Sequence, residues 1–262
     1  MARKTFEKIY MAVILVFMYA PIVTMIVLSF NESKSRAKWG GFSMKWYQAL
    51  FHDSAIMRAL WNTLSVALIS ALIATVIGTV TCVALMGLKS RSRAVIMGIT
   101  NIPMINADIV TGISLMLLFQ VIGFKRGFWT VLISHITFNI PFVMLSVLPR
   151  LKQVEPSVYE AAQDLGATKL YAFRKTVLPD IMPGVISGAL MAFTMSLDDF
   201  IITYFTKGVG FDTLSTKIYA SVKKGIQPEI YALSAIIFIT VLLLLFFSDR
   251  IPKWANKHKQ ET

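Results

Sequence analysis

Asp108, Asp198 and Asp199 carry the chemistry that stands out in this 262-residue chain, because each lies in a stretch otherwise free of charge. Residues 94–124 hold no Asp, Glu, Lys or Arg except Asp108, and residues 181–206 hold none except the adjacent Asp198 and Asp199. An aspartate at the centre of a membrane-crossing helix costs about 2.5–3.5 kcal/mol on insertion scales. A group of carboxylates kept at that cost, facing a cavity, attracts a cation and takes it out of water. The plainer alternative is that Asp198 and Asp199 cap a helix end or open a loop.

Other chemistries find no support. There is no G-x-x-x-x-G-K-[ST] loop to cradle phosphate and no H-E-x-x-H pair for zinc. His52, His135 and His258 stand in separate segments, which makes a poor metal site. His135 reads as a packing histidine, since no acidic residue stands one turn away on its own helix; a proton relay is the other reading. Cys82 is the single cysteine, so neither an internal disulfide nor a cysteine metal cluster can form, and it reads as a small packing residue. The chain is therefore expected to be non-catalytic and to hold no cofactor, with energy supplied by a partner or a gradient. The net charge of +12 comes from basic residues that flank apolar runs instead of forming one patch, which argues for membrane lipid and against nucleic acid.

The elements that must position the carboxylates are long apolar helices. The chain is 56% hydrophobic and 15% charged, whereas soluble domains average about 25% charged. Residues 9–31, 59–88, 127–149 and 230–248 contain no charge at all. With 94–124 and 181–206 they make six runs, each near or above the ~17–20 residues that span hydrocarbon. The fold class expected is an all-α membrane protein, a single transmembrane domain over residues 1–262 with six crossing helices. The first run is too long for a secretory apolar core and lacks a small-x-small cleavage pattern, so it reads as a retained span. Six spans put both termini on one side. That side carries 15 Lys and Arg, against 11 on the other, which places the termini in the cytoplasm of a bacterial inner membrane. At a rise of ~1.5 Å per residue, Asp108 lies roughly 22 Å from the inner anchor Arg93, and Asp198 roughly 27 Å from Asp180. Both fall in the outer half of the bilayer.

Details within the runs point to buried polar surroundings. Ser70, Ala74 and Gly78 have the small-xxx-small spacing of close helix contact. Asn101, Pro103, Asn106 and Asp108 crowd breakers and polar groups into one span, as a polar cavity requires. The outer loop over 32–58 carries Trp39, Trp46, Tyr47 and Phe51, which read as a headgroup belt. Pro21 predicts a bend in the first helix.

The largest cytoplasmic segment covers residues 150–179. Pro156 suits the first turn of a short helix and Gly166 its end. Thr168 suits the cap of a second, with Leu170, Phe173 and Val177 on one face. The stretch Glu160-Ala161-Ala162-Gln163-Asp164-Leu165-Gly166-Ala167 is polar and small where lipid would ask for bulk. Ala161 and Ala162 let another backbone approach closely, and Glu160 can pair with a basic group. Such a surface receives another protein.

Glu160-Ala161-Ala162, Gly166 and Leu178-Pro179 resemble the EAA loop of ABC importer permeases, at that motif's spacing, with Thr176 where the pattern has isoleucine. Across most of the chain the sequence is similar to the spermidine/putrescine permease family. The matching stretches include Pro103, Asp108-Ile109-Val110, Ser134-His135-Ile136-Thr137-Phe138, Pro141-Phe142-Val143, Arg150-Leu151, Phe193-Thr194-Met195-Ser196-Leu197-Asp198-Asp199, Lys217-Ile218-Tyr219, Gly225 and Pro228-Glu229. The resemblance implies a type I ABC importer permease whose EAA loop is the coupling helix seated in an ATPase subunit. It also implies substrate-binding roles for Trp46, Asp108, Ser196, Asp198 and Asp199, and coupling roles for Glu160, Ala161, Ala162, Asp164, Gly166 and Ala167. Lys169 departs from the family, which has an acidic residue there. The implied partners are a homologous second permease, two ATPase subunits holding ATP and magnesium, and an exported polyamine-binding protein. The rival readings are a permease for another small solute, a proton-coupled carrier using Asp108 and His135, and a membrane scaffold.

Overall fold

A computed structural model describes residues 2–35, 37–224, 228–240 and 242–243. It divides into two compact units. One joins the residues up to Arg58 to a segment starting at Lys217; the other holds Ala59–Thr216. The described residues are helical apart from turns and one isolated antiparallel bridge, Asn31 to Phe42.

The first unit opens with α1 (Ala2–Ser29), which runs through Pro21 without interruption. Its outer end is tied down by one side chain. Asn31 Oδ1 accepts from the backbone N–H of Ser33 (3.1 Å) and Gly40 (2.8 Å), while its Nδ2 donates to Lys38 O (2.9 Å). The carbonyl of Asn31 accepts the indole N–H of Trp46, 2.6 Å away on α2 (Lys45–His52). Ser29 Oγ and Tyr47 Oη, 2.7 Å apart, complete the knot.

The second unit is built around α6 (Phe128–Leu151), which packs against α3 (Ser54–Met86) and α9 (Leu178–Asp198). Lipid gives helices no hydrophobic reason to associate, so contact depends on close approach. Ser70 and Ala74 are fully buried, and a Cβ on Gly78 would sit 2.8 Å from Val143 Cγ1. On the other side of α6, Gly184 and Gly188 repeat the four-residue spacing on α9. A Cβ on Gly184 would meet the backbone oxygen of Ser146 at 2.9 Å. A carbonyl cannot rotate away as a side chain can. Gly184→Leu is therefore expected to lower stability by about 2–3 kcal/mol or more, read as an earlier thermal transition of the purified protein, while Gly98→Ala, with open space around it, should leave it unchanged.

Four helices among the described residues are long and apolar enough to cross a bilayer, at Phe6–Ser29, Ser54–Met86, Phe128–Leu151 and Lys169–Asp198. A fifth results if α4 (Ser90–Ile105) and α5 (Asp108–Val121), bent by 106° at their junction, count as one span. The expected straight third span over 94–124 is thus corrected to a broken one. Asn106 and Ala107 adopt extended backbone between the halves. The fifth span, expected to run through 181–206, also breaks: α9 ends at Asp198 and α10 (Ile201–Thr206) follows. After α11 (Leu214–Lys224), the sixth expected run is represented by α12 (Pro228–Thr240); residues 241 and 244–248 of that run lie outside the described residues.

The cytoplasmic segment has the two short helices expected, α7 (Pro156–Asp164) and α8 (Lys169–Ala172). Gly166 sits at φ +87°. Its N–H donates to Gln163 O (2.8 Å) and that of Ala167 to Ala162 O (3.1 Å), a Schellman ending that only a left-handed residue allows. Thr168 caps α8 by accepting from Tyr171 N. One expectation fails: Leu170 does not share the buried face of Val177 but is 69% exposed. A π-helical turn at Phe173–Val177 inserts an extra residue and rotates the two apart.

Candidate functional site

Both broken spans deliver their breaks to one place. A cleft of about 360 Å³ in the second unit is lined by Asp108, Asp198 and Asp199, with Phe138, Phe142 and Met195 among its apolar walls. Three carboxylates read separately from the sequence therefore share one concave surface. Asp108 is the first residue of α5, where a negative charge is favoured by the free N–H groups of the first turn. Asp198 is the last residue of α9. Both are exposed, and neither has a hydrogen-bond or ion-pair partner among the described residues.

Asp199 differs. Its side chain is only 8% exposed and fully engaged. Oδ1 accepts from Ile202 N at 3.2 Å; Oδ2 accepts from Thr203 N at 2.8 Å and from the Thr203 hydroxyl at 2.7 Å. It caps α10, and this is what breaks the span. Both sequence readings of the acidic pair thus have a place: one carboxylate caps and its neighbour faces the cleft.

Behind the cleft lies a buried polar chain. His135 Nε2 is 2.9 Å from Thr203 Oγ1 and 3.3 Å from Asp199 Oδ2, and its Nδ1 meets Ser196 Oγ. Ser196 Oγ is 3.0 Å from Ser70 Oγ, to which Asn139 Nδ2 donates at 3.4 Å. Ser196 is therefore buried behind the cleft wall and does not line it. The acidic neighbour of His135 comes from another helix, out of sight of a search along its own. A histidine in an apolar run was the available signal.

Trp46 belongs to the first unit, where it is 6% exposed, with the Lys45 ammonium 4.7 Å from its ring centroid. A larger groove of about 470 Å³ runs along α3 past Phe173 and Leu178, but no charged side chain lines it. Size alone does not make a cation site.

The sequence of residues 76–259 matches the family model for the binding-protein-dependent transport system inner membrane component. The chain belongs to this family. It is 39% identical over 248 residues to the spermidine/putrescine transport system permease protein PotC of Escherichia coli strain K12, covering 95% of this chain and 94% of that one. To the putrescine transport system permease protein PotI of the same strain it is 39% identical over 251 residues, covering 93% and 89%. Among solved structures it resembles a bacterial ABC transporter that imports alginate, with a TM-score of 0.71 at 18% identity over 95% of this chain and 94% of that one. The MetNI methionine ABC transporter gives 0.61 at 22% identity, covering 76% and 95%. These likenesses establish the all-α fold of an ABC importer permease.

In this permease the cytoplasmic loop presents Glu160, Ala161, Asp164 and Gly166 to solvent, with Ala162 and Ala167 half-buried. Leu165, 90% exposed, projects at the end of α7. Lys169 begins α8 on the same cytoplasmic segment, in a different element from the cleft.

Proposed function

We propose that this permease forms half of the pathway of a polyamine importer and that the acidic cleft is its cation site. The observation that carries the reading is the pair of unpartnered carboxylates, Asp108 and Asp198, on the ends of two broken helices around one cleft. Polyamines are flexible chains with several ammonium groups at neutral pH. Each carboxylate takes one ammonium, while Phe138 and Phe142 offer ring faces worth of order 0.5–2 kcal/mol to a cation. Asp199 and Ser196 act from behind, and Trp46 acts by holding the outer loop to Asn31. The names of the relatives favour spermidine and putrescine as cargo.

A second permease completes the pathway, an exported binding protein delivers cargo outside, and two ATPase subunits, which hold ATP and magnesium, dock on the loop around α7. The termini lie in the cytoplasm of the inner membrane, as the excess of basic residues on that side favours. The test is reconstitution of the complete complex in vesicles with radiolabelled spermidine and putrescine. ATP-dependent accumulation of either is expected. A wild-type complex that accumulates neither, or uptake that follows a proton gradient without ATP, overturns the reading.

A further inference from the structure

We propose that His135 is a positioning residue whose ring clamps the end of α9 from two sides and so aims Asp198 into the cleft. The inference rests on the cation reading of that cleft, and its evidence is the hydrogen-bond arrangement behind it. The Thr203 hydroxyl donates to Asp199 Oδ2, so its remaining contact, with His135 Nε2, requires that nitrogen to donate. The opposite nitrogen meets Ser196 Oγ. Ser196 and Asp199 stand three residues apart, one turn of helix, and Asp198 lies between them. With both flanking side chains held inward by one ring, Asp198 is the carboxylate left facing solvent.

The clamp is rigid because everything in it is enclosed. His135, Ser196, Thr203 and Ser70 are all buried. The Phe138 ring stands edge-on to the imidazole at 5.8 Å. Ser70 Oγ backs Ser196 and also donates to Ala67 O. Removing the ring nitrogens would leave the hydroxyls of Ser196 and Thr203 short of partners in a dry site, so the α9–α10 junction must move to satisfy them. A packing histidine without this role could be replaced by leucine, of similar bulk, with no change at Asp198.

The test reads the position of residue 198 without any cargo. Cys82 is the chain's only cysteine and is buried, so Cys82→Ala gives a background in which Asp198→Cys is the single thiol. The assembled complex in lipid nanodiscs is treated with a small trimethylammonium methanethiosulfonate reagent, and labelling of this chain is followed by mass. Adding His135→Leu is expected to shift the labelling rate by more than about threefold, and His135→Gln, which keeps a donor and an acceptor, to restore it to within about twofold. Asp108→Cys, on α5, serves as the control and should stay within about twofold when His135→Leu is added. A shift at position 198 below about threefold, or an equal shift at position 108, overturns the clamp. Where His135→Leu does not assemble, Ser196→Ala and Thr203→Val each remove one side of the grip and must show the same pattern. Absence of polyamine uptake by the wild-type complex would leave this readout intact, and unchanged labelling would leave the cation site standing.

Discussion

Replacing Asp108 and Asp198 together by asparagine should lower polyamine uptake by about two orders of magnitude or more. The estimate follows from the loss of two charge-assisted contacts at about 1.5–3 kcal/mol each, where every 1.4 kcal/mol is about tenfold. Asparagine keeps the shape and can still accept a hydrogen bond, so the fall reports charge. Both side chains are exposed and unpartnered among the described residues, and the complex should therefore assemble at normal yield. Asp199→Asn is expected to behave differently. That carboxylate holds Thr203 and caps α10, so its replacement should first lower the thermal stability of the complex. Uptake by vesicles, set against yield and melting temperature, separates the two. Retention of more than about a tenth of wild-type uptake by the double variant would sink the cation reading.

How much of this was legible beforehand follows from the range of the forces involved. The spans were readable because an unbroken apolar run is a local property, and the coupling loop because Pro156, Gly166 and Thr168 each obey a rule set by immediate neighbours. The break at Asn106 was half-visible in its cluster of breakers. The break at Asp199 was not, since no glycine or proline marks it; it comes from a carboxylate choosing the N–H groups of Ile202 and Thr203. The π-helical turn that exposes Leu170 has no sequence signal at all. His135 escaped notice because its partners lie 61 and 68 residues away on other helices. Ser196 was assigned to the cargo by resemblance, whereas its burial behind the cleft wall depends on how α3, α6 and α9 meet.

The second large effect belongs to the cytoplasmic loop, where Gly166→Arg should strip the ATPase from the complex while leaving the membrane part folded. At φ +87° any side chain meets backbone strain, costing of order 1–2 kcal/mol for most residues and less for asparagine. No atom stands within 4 Å of a Cβ at this position, so the cost is conformational and not a clash. The Schellman bonds of Gly166 and Ala167 should open, and the end of α7 that carries Leu165 should lose its direction. A loss of that size weakens docking by about tenfold, and the new guanidinium adds bulk where small residues had allowed close approach. The order of retained ATPase should therefore be Gly166, then Gly166→Asn, then Gly166→Ala, then Gly166→Arg, because asparagine tolerates the left-handed region best. Glu160→Ala, which removes a charge from the same exposed face, should weaken retention further when combined with Gly166→Arg. Co-purification of the ATPase at fixed concentration measures the order directly. Full retention by the double variant, or a Gly166→Asn variant as defective as Gly166→Arg, would mean that neither the charge nor the turn at the end of α7 matters to coupling.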